Sequence, residues 1–123
     1  MMDSMKFNMK SCIDKIIDDL GITHQLCGCN YIKFCIMYIL ENDAEASLTK
    51  EIYPACAKYY NCSIESVDRS IRFCIKRNWI YGNSSKQAEI FDGYVNYESA
   101  YPSSNIFINI IAQYVYRIMI YNV

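Results

Sequence analysis

The sequence predicts an all-α fold: a compact multi-helix domain of about five to six helices that contains a helix-turn-helix. Three observations predict it. Hydrophobic residues make up 53% of the 123 residues while Gly and Pro together occupy only six positions, which favours long regular elements over loops. Apolar residues recur at steps of three and four in segment after segment. Ser, Gly, Asn and Pro stand where those periodic segments begin and end.

Residues 1–10 lack a sustained apolar run and read as a flexible N-terminal tail, leaving 11–123 as a single helical domain. Ser11 followed by Asp14 resembles a capping box, and Ile13, Ile16, Ile17 and Leu20 mark a short amphipathic helix closed by Gly21. A second helix is expected over Leu26 to Leu40, with Ile32, Cys35, Ile36, Ile39 and Leu40 buried. The acidic stretch Glu41 to Glu45 follows as a loop. Ser47 caps a helix from about Leu48 to Tyr60, in which Pro54 removes a backbone donor and forces a bend or break. Asn61 and Cys62 make a tight connection, and Ser63 caps the next helix, Ile64 to about Tyr81.

In that helix Ile64, Val67, Ile71, Cys74 and Ile75 form one apolar stripe. Glu65, Asp68, Arg69, Arg72 and Lys76 fall on the opposite side. One side suits a core and the other something charged. Gly82 and Asn83 end the helix, and Ser84 to Ile90 form a further short one. Phe91 to Tyr101 lacks a clear period, and its Tyr94, Tyr97 and Tyr101 make either a strand-like arm or a packed loop. Pro102, Ser103 and Ser104 open a last helix, Asn105 to Tyr121. Its buried face is expected at Ile106, Ile110, Ile111, Tyr114, Ile118 and Tyr121, and its many further apolar residues place it at the core centre or at an interface.

Several function classes find no support. There is no secretory signal, and the apolar runs at Phe34 to Leu40 and Ile106 to Tyr121 are too interrupted to span a membrane. A cytoplasmic protein with reduced thiols is expected, so the seven cysteines act as small hydrophobes. His24, Cys27 and Cys29 are three soft ligands close together, but a zinc site needs a fourth and no C-x-x-C occurs, so no metal or other cofactor is expected. No phosphate loop, nucleophile elbow or H-E-x-x-H motif is present, and the sole histidine has no catalytic companion. The chain does not read as an enzyme.

Charge is unevenly placed. From Ser47 to Lys86 the cations Lys50, Lys58, Arg69, Arg72, Lys76, Arg77 and Lys86 oppose only Glu51, Glu65 and Asp68, whereas the whole chain has a net charge of −1. A basic segment on an acidic body offers one preferred face to phosphate. The region 48–82 has the layout of a DNA reader: a first helix, a short turn, and a second helix with a polar outer face. Arg69 suits a bidentate contact to guanine and Asp68 the cytosine amino group, with Arg72, Lys76 and Lys58 on the backbone. The same pattern also describes a scaffold helix laced by Asp68–Arg72 and Glu65–Arg69 pairs.

The residues themselves narrow that choice. Leu48 to Pro54 (LTKEIYP), Ala57 to Asn61 (AKYYN) and Ser66 to Arg72 (SVDRSIR), followed by Trp79 and Gly82-Asn83, resemble one family. It is the C-terminal effector domain of the master response regulator that initiates sporulation in endospore-forming Firmicutes. The likeness runs from about Ile13 to the end and includes Leu20-Gly21, Gly28 with Tyr31, Phe91 to Tyr94, and Pro102 leading to Phe107-Ile108.

The resemblance implies a sequence-specific, DNA-binding transcription regulator that recognises a short box in double-stranded DNA, usually as tandem dimers. By position, Asp68 and Arg69 occupy the base-reading pair, and Arg72 is the next cation one turn along. Ser47, Thr49 and Lys50 start the first helix, where hydroxyls and amides meet phosphate. The chain departs from the family pattern at Ser66, where members carry arginine, and at Phe73 and Gln25, where they carry histidine. The loop before Ser47 is one residue shorter. With Glu65 adding repulsion, these changes reduce the charge of the recognition helix. Residues 1–10 leave no room for a receiver domain, so the expectation is an effector without its own phosphorylation switch. Its partners would be duplex DNA and, through the last helix, a second copy or another protein. An interaction module acting by mixed dimerisation with a full-length regulator is the alternative.

Overall fold

Nothing between Met2 and Leu20 interrupts a helix, and in the computed structural model this stretch is one helix, α1. The structure describes residues 2–42, 46–93 and 101–121. The sequence had suggested a loose tail through Lys10 and a helix start at Ser11; both are corrected, because the helix already runs past Ser11. Ile13, Ile16, Ile17 and Leu20 anchor its second half in the core, and extending a formed helix costs far less than starting one. Ser4 to Asn8 are exposed, and Lys6 reaches Glu41 at 3.8 Å. Gly21, at φ 82°, ends the helix: its N–H donates to Asp18 O and that of Ile22 to Ile17 O, at 3.0 and 3.1 Å.

Helix α2, Cys27–Asn42, is the hub and packs against α1 and against α3, α4 and α6, described next. It takes in Glu41 and Asn42, expected in the acidic loop, and the Asn42 amide donates to Tyr38 O at 2.9 Å. Residues 43–45, the rest of that loop, lie outside the described residues. The predicted break at Pro54 takes a specific form. Leu48–Ile52 makes one π-helical turn, and α3 begins afresh at Tyr53–Tyr60 with Pro54 in its first turn. Ile52 N–H reaches back to Ser47 O at 3.1 Å, and Tyr53 N–H to Leu48 O. The widened ladder lets a residue without an N–H enter a helix start, where none is missed.

Asn61 turns the chain in the left-handed region, φ 54° and ψ 52°, between α3 and α4, Ile64–Tyr81. Asparagine tolerates that conformation better than most side chains. Ser63 caps α4 by accepting from Ser66 N–H at 3.0 Å. Val67, Ile71, Cys74 and Ile75 are buried as expected, but Ile64, in the first turn, is 43% exposed. Helix α5, Ser84–Phe91, follows an Asn83 cap.

Helix α6, Ser104–Tyr121, buries Phe107, Ile108, Ile110, Ile111, Ala112 and Val115. Ile110 and Ile111 are buried as expected, but the face departs at its ends: Ile106 is 39% and Tyr121 81% exposed. A helix apolar on nearly every side carries no phase for periodicity to read. Tyr94 and Tyr97 lie outside the described residues, while Phe91, expected to begin an irregular stretch, is fully buried against Trp79 and Phe107, ring centroids 5.3 and 5.1 Å away. The described residues contain helices and turns and no strand, as the predicted all-α class requires.

Candidate nucleic-acid interface

Two features fix where α4 stands. The first is a close crossing with α2. A Cβ built on Gly28 would lie 2.2 Å from Ser70 O and 2.8 Å from Cys74 Cβ, so only glycine lets the two backbones approach this far. The second is a polar clamp at the other end of α4. Asn78, buried, donates to Leu20 O at 2.7 Å, and Gln87 donates to Asn78 O at 2.8 Å. Asn83 N–H also donates to Leu20 O, at 3.0 Å. Together these bonds satisfy the buried amide groups of Asn78 and Gln87 and the last carbonyl of α1. Helix α4 is thus tied to α2 near its middle and to α1 and α5 at its end.

The side of α4 away from its buried stripe is exposed. Glu65, Arg69, Arg72, Phe73, Lys76 and Arg77 are exposed, and Ser66 and Asp68 half-exposed. Arg69 pairs with no acidic side chain among the described residues. Arg72 bonds Asp68 at 3.0 Å, with side chains 62% and 40% exposed. Such an i, i+4 surface pair contributes about 0.3–0.5 kcal/mol and yields readily to a stronger partner. The Glu65–Arg69 pair that a scaffold helix would also carry is not formed. Arg77 instead lies over the Tyr81 ring, 5.4 Å from its centroid.

The expected phosphate residues divide into groups. Ser47 and Thr49 share one shallow concavity with Leu48, Tyr53 and Asp68, and Ser104 and Asn105 complete its wall. Lys50 is exposed beside it and its N–H donates to Ser47 Oγ at 3.3 Å. Arg69 and Phe73 border a second concavity with Leu26, Cys27, Gly28 and Ser70. Lys58, near the end of α3, and Lys76, in the later half of α4, are exposed but line neither.

The sequence reading missed Ser104 and Asn105 as part of this surface. It took Pro102 to Ser104 only as a helix start, and nothing in one sequence says which other element a helix start faces. Burial pushes the Tyr53 hydroxyl up to about 12, partly offset by the neighbouring Ser104 hydroxyl.

His24 stands apart from this surface. Its Nε2 bonds the Asp18 carboxylate, and Lys33 Nζ donates to its Nδ1 at 2.9 Å. Lysine can only donate, so Nδ1 is the acceptor. Cys29 is buried with its sulfur 3.9 Å from the same nitrogen, while Cys27 is exposed. Among the described residues no group of three or more His, Cys, Asp or Glu side chains is placed to hold a metal ion, and no helix is long and apolar enough to cross a membrane.

The family model described as sporulation initiation factor Spo0A C terminal matches residues 13–115. Those residues span every helix named above from the packed half of α1 to the core-facing part of α6.

Proposed function

The chain belongs to the sporulation initiation factor Spo0A C-terminal family, a family of DNA-binding regulatory domains, and from that premise we propose that it is a sequence-specific transcription regulator. Helix α4 enters the major groove. Arg69 reads guanine and Asp68 the cytosine amino group, while Arg72, Lys76 and Lys58 hold phosphates. Ser47, Thr49 and Lys50 meet the backbone at the start of the first helix. Glu65, Ser66 and Phe73 set the rest of the groove surface, with less positive charge than an arginine and a histidine at the latter two positions would give.

The observation that carries this reading is Arg69, exposed and without an acidic partner among the described residues, on a helix whose position is fixed at both ends. An internal ion pair at Arg69 would have argued for scaffold. The test is selection from a random duplex library followed by Arg69→Ala. The variant loses roughly 1–3 kcal/mol on the selected box and relaxes its choice of base; equal binding to every duplex by both proteins refutes the assignment.

The outward side of α6, with Tyr116, Ile120 and Tyr121 exposed, supports self-association of two copies on adjacent boxes. The same side also suits pairing with a full-length regulator. Pairing that survives Arg69→Ala in the absence of DNA separates that contact from DNA reading.

A further inference from the structure

From Glu65 to Arg77 the fully exposed side chains of α4 are charged, with one exception. Glu65, Arg69, Arg72, Lys76 and Arg77 carry charge; Phe73 is apolar and 56% exposed. Among the described residues no aromatic ring packs on Phe73 and no cation lies over it. An α-helix turns about 100° per residue, so Phe73 stands one turn beyond Arg69 and about 40° around from it. That rotation carries Phe73 away from Asp68 and Arg72 and toward the crossing with α2. Ser66, Arg69 and Phe73 follow one another at i, i+3 and i+7, a spacing over which a recognition helix presents side chains to base edges.

A second observation lies beside them. Arg69, Ser70 and Phe73 form one wall of a hollow, and Leu26, Cys27 and Gly28, where the chain enters α2, form the other. Arg69 is the one charged residue lining it, and the close approach of Gly28 to Ser70 holds the two walls in place. A phosphate here would meet a single guanidinium and an otherwise uncharged, largely apolar surface. A base edge carrying a methyl group would match that surface. Of the four bases only thymine presents an apolar group in the major groove, its C5-methyl. A phenyl ring has no conventional donor or acceptor, so apolar contact with that methyl is its route to selecting a base.

Resting on the reading of α4 proposed above, we infer that Phe73 is a specificity-determining residue whose ring, with the apolar wall of the hollow, closes on the C5-methyl of a thymine. One helical turn advances about 5.4 Å and one base step about 3.4 Å, which places this thymine about one to two base pairs from the guanine read by Arg69, on either strand. Arg69 and Phe73 together then specify a guanine with a neighbouring thymine, one by hydrogen bonds and the other by shape.

The test pairs a change in the protein with a change of one methyl group in the DNA. Arg69→Ala identifies the guanine, as the position of the selected box whose preference it relaxes. Deoxyuridine in place of the neighbouring thymidine removes the methyl and keeps Watson–Crick pairing. It should weaken binding by the parent roughly threefold to fivefold, the worth of one buried methyl group. Phe73→Ala should bind the thymidine and deoxyuridine duplexes equally, and Phe73→Leu should keep part of the difference. Alanine and leucine both favour a helix more than phenylalanine does, so both variants should unfold no earlier than the parent.

A selected box with no preferred thymine within about two base pairs of that guanine overturns the inference. So does a parent indifferent to the methyl, or a Phe73→Ala variant that keeps the parent's ratio between the two duplexes. In each of these cases the guanine contact of Arg69 stands. An Arg69→Ala variant that relaxes no position overturns the base-reading assignment, a parent that binds no duplex overturns the DNA-reading role, and the inference falls with either.

Discussion

Replacing Gly28 by alanine adds a single methyl group where α2 crosses α4. The added Cβ would sit 2.2 Å from Ser70 O, about 1.2 Å inside the 3.4 Å at which ordinary contact begins, and 2.8 Å from Cys74 Cβ. Neither neighbour is the free end of a flexible side chain. One is backbone in the middle of α4, and the other is the Cβ of a buried residue. Alanine is favoured over glycine within a helix by about 0.8–1.0 kcal/mol. Overpacking a tight contact costs about 1–3 kcal/mol, toward the upper end when backbone must move. The clash wins, for a net loss of about 2 kcal/mol. At ~4 °C per kcal/mol for a domain of this size, the melting temperature falls by about 8 °C. Since relief requires α4 to move away from α2, the remaining folded protein should bind duplex more weakly than its stability loss explains. Thermal unfolding followed by circular dichroism, with duplex titration well below the transition, measures both effects. A melting temperature equal to or above the parent's would mean that the helices do not cross at this distance, and the reasoning about how α4 is held would fail.

The polar clamp and the buried tyrosine give two further expectations. Asn78→Ala leaves Leu20 O with only the Asn83 N–H and removes one acceptor of Gln87 in a buried setting; it should cost about 2–3 kcal/mol in a urea titration, and a loss under ~0.5 kcal/mol would show the clamp to be dispensable. Burial raises Tyr53 from 10.0 to about 12, so the neutral hydroxyl is favoured in the fold. Its contribution is fully present below pH 10 and is lost as pH rises toward 12, by about 1.4 kcal/mol per pH unit. Tyr53→Phe should therefore be less sensitive to alkali than the parent in urea titrations across that window, and parallel loss in both proteins would contradict the assignment.

Much of the fold was legible because local and global signals agree. Ser47, Ser63, Asn83 and Ser103 each cap the helix that follows, and the Val67, Ile71, Cys74, Ile75 stripe is buried as its spacing requires. The sequence failed where one signal stood alone. The residues ahead of Ser11 read as tail because they hold no sustained apolar run, although nothing there breaks a helix. The face of α6 was assigned only in part, at Ile110 and Ile111, because apolar residues surround it and tertiary packing chose the phase. For the candidate site, the exposed face of α4 could be read from periodicity, but its attachment could not. The Gly28–Ser70 approach and the Leu20–Asn78–Gln87 clamp join residues far apart in the chain, as does the convergence of Ser47, Thr49, Ser104 and Asn105. No spacing rule brings such residues together.

The most direct test of the account is duplex binding by the parent and by Arg69→Ala across a range of salt concentrations, on a box selected from random sequence. The parent should show a log–log salt slope of about −4 to −6. Arg69→Ala should bind that box roughly tenfold or more weakly and distinguish it less well from its single-base variants. A parent whose affinity ignores salt, or a variant that discriminates among boxes as the parent does, would contradict the claim that α4 reads DNA through Arg69.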